Sequence, residues 1–151
     1  LVSPGSEGPL GWGYATSLGA KIAKPDTPVV WISGDGAFMF TAMEMATAAQ
    51  HGIGVVAVVF SDGAYGNVRR IQEQAFNNRT IASDLRNPDF VRMAESFGID
   101  AVRVRSADEL GAAIARGIAR GAPMLIDCPV GKLPDPWPLV AVPRIRPRKA
   151  S

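Results

Sequence analysis

Two aspartates stand where an apolar run gives way to glycine. Asp35 lies between Gly34 and Gly36 after VVWIS, and Asp62 lies in SDGAYGN, residues 61–67, after VVAVVF. A turn needs glycine for its backbone but has no need of a charge, and a solvated aspartate needs no glycine on either side. Small residues flanking an acid let a ligand approach the backbone and meet a negative oxygen. Should the two strands be neighbours, both carboxylates enter one crevice and repel each other unless a cation lies between them. Carboxylate and carbonyl oxygens are hard ligands that suit Mg²⁺ or Ca²⁺, and magnesium completes its shell with phosphate oxygens and water. Helices expected to start near Ala37 and Gly66 turn N–H groups into the same space, which favours a phosphate. Each loop alone is equally an ordinary strand-to-helix connection. Together they point to a metal-bridged phosphate or diphosphate site.

The elements that must position these acids alternate along the chain. Short apolar, β-branched runs at 29–33, 55–60, 101–105 and 124–128 read as strands. Helical patterns lie between them. Tyr14, Leu18 and Ile22 share one side of a helix over about 12–24, and Phe38, Ala42, Met45, Ala46 and Ala49 share the face of another. Asn87 is the expected cap, and Pro88 the first turn, of a helix carrying Phe90, Met93, Ala94 and Phe97. Ser106 and Glu109 form a capping-box pattern before Leu110, Ala113 and Ile114, and Gly121 stops that helix. Alternation with near-continuous apolar strands predicts an α/β fold, a parallel sheet with helices on both faces. Ligands of such sheets sit beyond the carboxyl ends of the strands, where both acidic loops fall.

The chain has 151 residues and 47% hydrophobic content, enough for one core. No apolar run is long enough to span a membrane. The formal charge of +2 comes from Arg144, Arg146, Arg148 and Lys149 in the tail, so no nucleic-acid surface is indicated. Cys128 is single, which excludes an internal disulfide and suits a reducing, cytoplasmic setting. It reads as a small buried apolar residue, as Trp12 and Phe38 read as core. His51 reads as a cation at a helix end, and Glu44 as an exposed or partner-facing helical acid. The segment from 132 to 151 is proline-rich and basic and reads as an extended arm, with Trp137 a candidate for packing on another subunit. The chain opens at Leu1 and reads as a C-terminal portion of a longer polypeptide.

With its flanks, the chain resembles the diphosphate-binding domain of thiamine diphosphate enzymes. The family signature is G-D-G, a spacer, then N-N. Gly34-Asp35-Gly36 is followed by Ser61-Asp62, and the step of 27 residues from Asp35 to Asp62 suits that spacing. GPLGWGYATSLGAKIAKPDTPVVWISGDGAF, NPDFVRMAESFGI and APMLIDCPV are similar to the surrounding stretches, so the resemblance covers roughly residues 5 to 131. The acetolactate synthase and benzoylformate decarboxylase group is the most similar. The implied fold is a Rossmann-like three-layer domain over 1–131, lacking its first strand and helix.

By position, the resemblance implies Mg²⁺ ligation by Asp35, by Asp62 and by the Ala64 carbonyl. Gly34, Gly36, Ala37, Tyr65 and Gly66 would line the diphosphate of the cofactor. Leu10 falls where a bulky residue bends the cofactor, and Gly8 where a carbonyl meets its aminopyrimidine. Asn67 and Val68 fall on the substrate side. The activating glutamate is expected on a separate pyrimidine-binding domain of the same or another subunit, so no catalytic residue is expected here and a homo-oligomer is implied. Two departures stand out. Ser61-Asp62 replaces N-N and adds a negative charge, and Ala37 stands where a hydroxyl is common. Asn77-Asn78 is a literal N-N that follows no apolar strand and reads as loop.

The implied activity is that of a lyase or carboligase acting on a 2-oxo acid, like acetolactate synthase. Simple 2-oxo-acid decarboxylation is the alternative. A non-catalytic nucleotide- or metal-binding module of the same fold is a third reading, with Asp62 as its mark. The absence of G-x-G-x-x-G after the first visible strand argues against a dinucleotide site.

Overall fold

The computed structural model describes residues 1–3, 5, 8–132 and 134–135. Four parallel strands, β1 (Val29–Gly34), β2 (Val55–Ser61), β3 (Asp100–Arg103) and β4 (Met124–Pro129), form one sheet in the order β1-β2-β4-β3. The central strand β2 is covered on both faces, which is why its sequence lacks a polar alternation. Val55, Ala57 and Val59 join one core with Tyr14, Leu18, Phe38, Met45 and Phe90. Val56 and Val58 face the other way and join Ala113, Met124 and Ile126. Complete burial of each such valine stabilises the fold by roughly 1.5–3 kcal/mol.

The first core lies under α1 (Trp12–Ala23), α3 (Met45–His51) and α5 (Phe90–Ser96), and the second under α6 (Ala107–Arg120). Tyr14, Trp31, Phe38 and Phe90 make a chain of tilted and edge-on ring contacts with centroids 5.2–5.6 Å apart. Burial, and then the charge of Glu44, push the Tyr14 hydroxyl well above its usual range. The remaining helices are the single turn α2 (Asp35–Phe38) and α4 (Gly66–Ala75). Among the described residues no helix is long and apolar enough to cross a membrane.

Several expectations need correction. The helix expected across Phe38 to Ala49 is broken into α2, a 3₁₀ turn over Ala42–Glu44, and α3. The break is at Thr41, whose φ of −134° is not helical and whose hydroxyl donates to the Gly11 carbonyl at 2.9 Å. Asp89, not Asn87, caps α5, accepting from the N–H groups of Val91 and Arg92. Ile22 is 66% exposed because only Tyr14, Ser17 and Leu18 of α1 are buried; one turn on, the stripe has left the core. Trp12 is only half-buried. The third strand starts one residue earlier than expected and ends at Arg103.

Other expectations match. Ser106 caps α6 by accepting from Glu109 N–H, while the Glu109 carboxylate accepts from Arg105 N–H, one residue short of a full capping box. Gly121 ends α6 with a φ of +65°. Asn77 and Asn78 lie in a turn beyond α4. Glu44, by contrast, is not the exposed helical acid expected: it ends the 3₁₀ turn half-buried and accepts from the Thr47 hydroxyl at 2.8 Å. Cys128 is buried, and burial followed by the charge of Asp127 pushes its thiol up. The arm expected over 132–151, including Trp137, Arg144, Arg146, Arg148 and Lys149, lies outside the described residues except for 132, 134 and 135.

Candidate functional site

The parallel pairing of Gly34 with Phe60 brings the loops after β1 and β2 out side by side. Asp35 begins α2 and is 1% exposed. A carboxylate this buried requires donors in place of water. Its Oδ1 accepts from Gly36 N–H at 2.8 Å; its Oδ2 accepts from Gly63 N–H at 2.9 Å and from the Asn87 amide at 2.5 Å. Asp62 sits in the neighbouring loop, where Oδ1 accepts from Ala64 N–H at 3.1 Å. Its carboxyl group is pushed above the usual range, first by burial and next by the negative charge of Asp35, against the lowering effect of the Ala64 N–H. Two acids therefore share one space at an electrostatic cost that a cation would relieve.

The second loop is set by backbone pairing. Gly63 has a φ of +69°, a conformation that glycine adopts freely. Leu85 N–H donates to the Gly63 carbonyl and Tyr65 N–H to the Ser83 carbonyl, each at 2.8 Å. This short antiparallel contact leads the chain on to Asn87 beside Asp35. At two glycines an added side chain would push a neighbour aside: a Cβ on Gly36 would lie 2.7 Å from the Tyr65 ring, and one on Gly66 would lie 2.7 Å from Asp62 Oδ2.

A cleft of about 720 Å³ opens here. Leu10, Gly34, Asp35, Gly36, Ala37, Asp62, Ala64, Tyr65, Asn67 and Val68 border it, so most of the residues selected from the sequence do meet. Gly66 borders an adjoining cleft that shares Asp62, Ala64 and Asn67, and Gly8 borders another that shares Leu10 and Ala37. The expectation of two helix N-termini facing the ligand is met only in part. α4 does begin at Gly66, with Tyr65 as an N-cap that accepts no side-chain bond, but α2 is a single turn.

The donor set fits a hard cation, since both side chains offer carboxylate oxygen. Among the described residues no group of three or more His, Cys, Asp or Glu gathers, so a cation here would need further oxygens from the backbone, from water or from an anionic ligand.

Sequence reasoning missed two partners of Asp35 and one buried charge network beside them. Asn87 reads as a helix cap because Pro88 follows it, yet Asp89 offers the same capping chemistry and leaves Asn87 free for Asp35. Gly63 contributes its N–H, which no side-chain pattern reveals. Ser61 turns to the buried Asp127 of β4, donating its hydroxyl to Oδ1, while Arg103 Nε donates to Oδ2 at 2.7 Å. The other end of the Arg103 guanidinium pairs with Asp89 at 3.1 Å, tying β2, β4, β3 and α5 together.

Residues 1–128 match the family model described as "Thiamine pyrophosphate enzyme, C-terminal TPP binding domain". The chain belongs to that family. Thiamine pyrophosphate and thiamine diphosphate are one compound, so the match agrees with the resemblance drawn from the two acidic loops. The chain is 39% identical over 130 residues to an acetolactate synthase of Bacillus subtilis, covering 86% of this chain and 22% of that protein. It is 34% identical over 142 residues to an acetolactate synthase of Arthrospira platensis, covering 93% of this chain and 24% of that protein. The solved thiamine diphosphate-dependent 4-hydroxybenzoylformate decarboxylase of Rhodococcus jostii RHA1 superposes with a TM-score of 0.76 at 31% identity, over 81% of this chain and 23% of that one. The thiamine diphosphate-binding domain thus spans less than a quarter of the length of these relatives. Two of these relatives are named as synthases and the third as a decarboxylase.

Proposed function

We propose that this chain is the cofactor-binding domain of a thiamine diphosphate- and Mg²⁺-dependent enzyme of the acetolactate synthase type, acting on a 2-oxo acid. The observation that carries the reading is the shared cleft of Asp35 and Asp62, with the charge of one raising the carboxyl group of the other. Asp35, Asp62 and the Ala64 carbonyl would hold the cation. Gly34, Gly36, Ala37 and Gly66, which carry little or no side chain, and Tyr65 would flank the diphosphate through their backbone. Leu10, 49% exposed at the cleft edge, is placed to support the cofactor rings, with Gly8 beside it. When bound, thiamine diphosphate supplies the carbanion chemistry that cleaves or forms bonds next to a carbonyl. The chain's own residues bind and orient it. Asn67 and Val68 border the same cleft from α4 and would meet the substrate. A pyrimidine-binding domain of the same or another subunit would complete the site and supply the activating acid, within a homo-oligomer.

The solved 4-hydroxybenzoylformate decarboxylase supports a second reading, in which the acid loses carbon dioxide and the aldehyde is released. Calorimetry of the complete protein with thiamine diphosphate and Mg²⁺ tests the shared part. Binding that requires the ion, and is not reproduced by nucleotides, is expected; preference for a nucleotide would overturn it. Product analysis with a 2-oxo acid, with and without an acceptor carbonyl compound, separates ligation from simple decarboxylation.

A further inference from the structure

The hydrogen bonds on Asp35 are distributed unequally between its two oxygens. A carboxylate oxygen has two lone pairs in its plane. Oδ2 takes two N–H donors, Gly63 N–H and the Asn87 amide, whereas Oδ1 takes one, Gly36 N–H. The amide must present its nitrogen here, because its oxygen would set two acceptors at 2.5 Å. With Oδ2 filled, Oδ1 alone retains a lone pair for a cation. We infer that Asn87 is a positioning residue that confines Asp35 to a single-oxygen grip on the divalent ion and thereby favours Mg²⁺ over Ca²⁺. The inference rests on the proposed metal site.

The physical basis is coordination geometry. Mg²⁺ takes six ligands in a near-ideal octahedron, and a carboxylate binding through both oxygens distorts it. Ca²⁺ takes six to eight ligands and accepts two-oxygen carboxylates readily. Asn87 comes from a third segment, the stretch before α5, and is itself held in place. Pro88 favours extended backbone at Asn87, and the pairing of Gly63 and Tyr65 with Leu85 and Ser83 fixes the chain just before it. Gly63 N–H cannot be removed by mutation of a side chain, so Asn87 is the adjustable half of the clamp. Asn87 touches neither the cation nor the substrate in this assignment, and acts only through Asp35.

The test titrates MgCl₂ and CaCl₂ separately into the complete protein under saturating thiamine diphosphate, followed by calorimetry. Wild type, Asn87→Ala and Asn87→Ser are compared, the serine being too short to reach Oδ2 and serving if the alanine variant does not fold. Loss of an outer contact of this kind weakens metal binding by roughly 10- to 100-fold. The expected result is a loss of that order for Mg²⁺, a smaller loss for Ca²⁺, and therefore a several-fold drop in the Mg²⁺ to Ca²⁺ affinity ratio. Equal weakening of both ions denotes a merely structural role and overturns the inference, as do unchanged affinities. A wild-type protein that binds neither ion overturns the metal site along with it.

Discussion

The backbone N–H of Gly63 donates to Oδ2 of Asp35 over 2.9 Å, so the second acidic loop hangs from the carboxylate of the first. Asp35 is therefore a structural anchor before any ligand arrives. Asparagine at this position offers one acceptor oxygen where the carboxylate has two, and its NH₂ must face a buried donor. Asp35→Asn is expected to destabilise the metal-free protein by about 1–3 kcal/mol, read from urea unfolding. It should also abolish Mg²⁺ binding. Unchanged stability would mean that the three N–H groups around Asp35 find other acceptors.

Asp62 sets a pH dependence of definite sign. Its carboxyl group, raised above 3.8 by burial and by Asp35, holds its proton to higher pH in the folded state than in the unfolded chain. The folded state binds more protons in that window, so stability falls as pH rises through it. The contribution of Asp62 is fully present below the unfolded value and is lost as pH passes the folded one. Metal-free Asp62→Asn should consequently gain stability over wild type at neutral pH, with the gap closing below about 3.8. Saturating Mg²⁺ should reverse the order. Urea midpoints across this range, with and without the ion, check both signs.

Arg103 neutralises a carboxylate that is 2% exposed, at Asp127. Arg103→Ala leaves that charge with only the Ser61 hydroxyl. A cost of about 2–4 kcal/mol is expected, below the full penalty for a buried pair because Arg103 is itself partly exposed. Replacing Asp127 with Asn in the same background should recover part of the loss. Thermal and urea unfolding of the single and double variants measure this coupling.

The framework of the fold was legible because its signals are local. The β-branched run of β2 has no polar alternation and could only be a strand covered on both faces. The acidic loops were legible for the same reason: glycine beside an acid at a strand end is a pattern of adjacent residues. What escaped was set by distant contacts. Thr41 breaks the expected helix through a bond to Gly11, a partner 30 residues away. Asn87 serves Asp35 across 52 residues, although its neighbours describe a helix cap. The charge chain from Ser61 through Asp127 and Arg103 to Asp89 joins four segments, and only the assembled sheet brings them together.

Leu10 and Gly36 border the same cleft with opposite expectations. Leu10 is half exposed, so Leu10→Ala should move unfolding by less than about 0.5 kcal/mol while lowering turnover of the complete enzyme. Gly36→Ala forces the Tyr65 ring aside and should cost about 1–3 kcal/mol. Parallel unfolding and steady-state kinetics of the two variants distinguish a residue that serves the ligand alone from one that serves both the ligand and the packing. A large stability loss for Leu10→Ala would contradict its assignment to the cofactor.

At the end of the sheet opposite the cleft, a Cβ on Gly54 would lie 2.1 Å from the Gly121 carbonyl oxygen. The turns that feed β2 and β4 there touch backbone to backbone, leaving no room for even a methyl group. A side chain on Gly54 would force these two turns apart and disturb the seating of the inner strands that they feed. The loops at the far rim carry the cleft, so substitutions there can reshape a ligand's surroundings without touching this backbone contact.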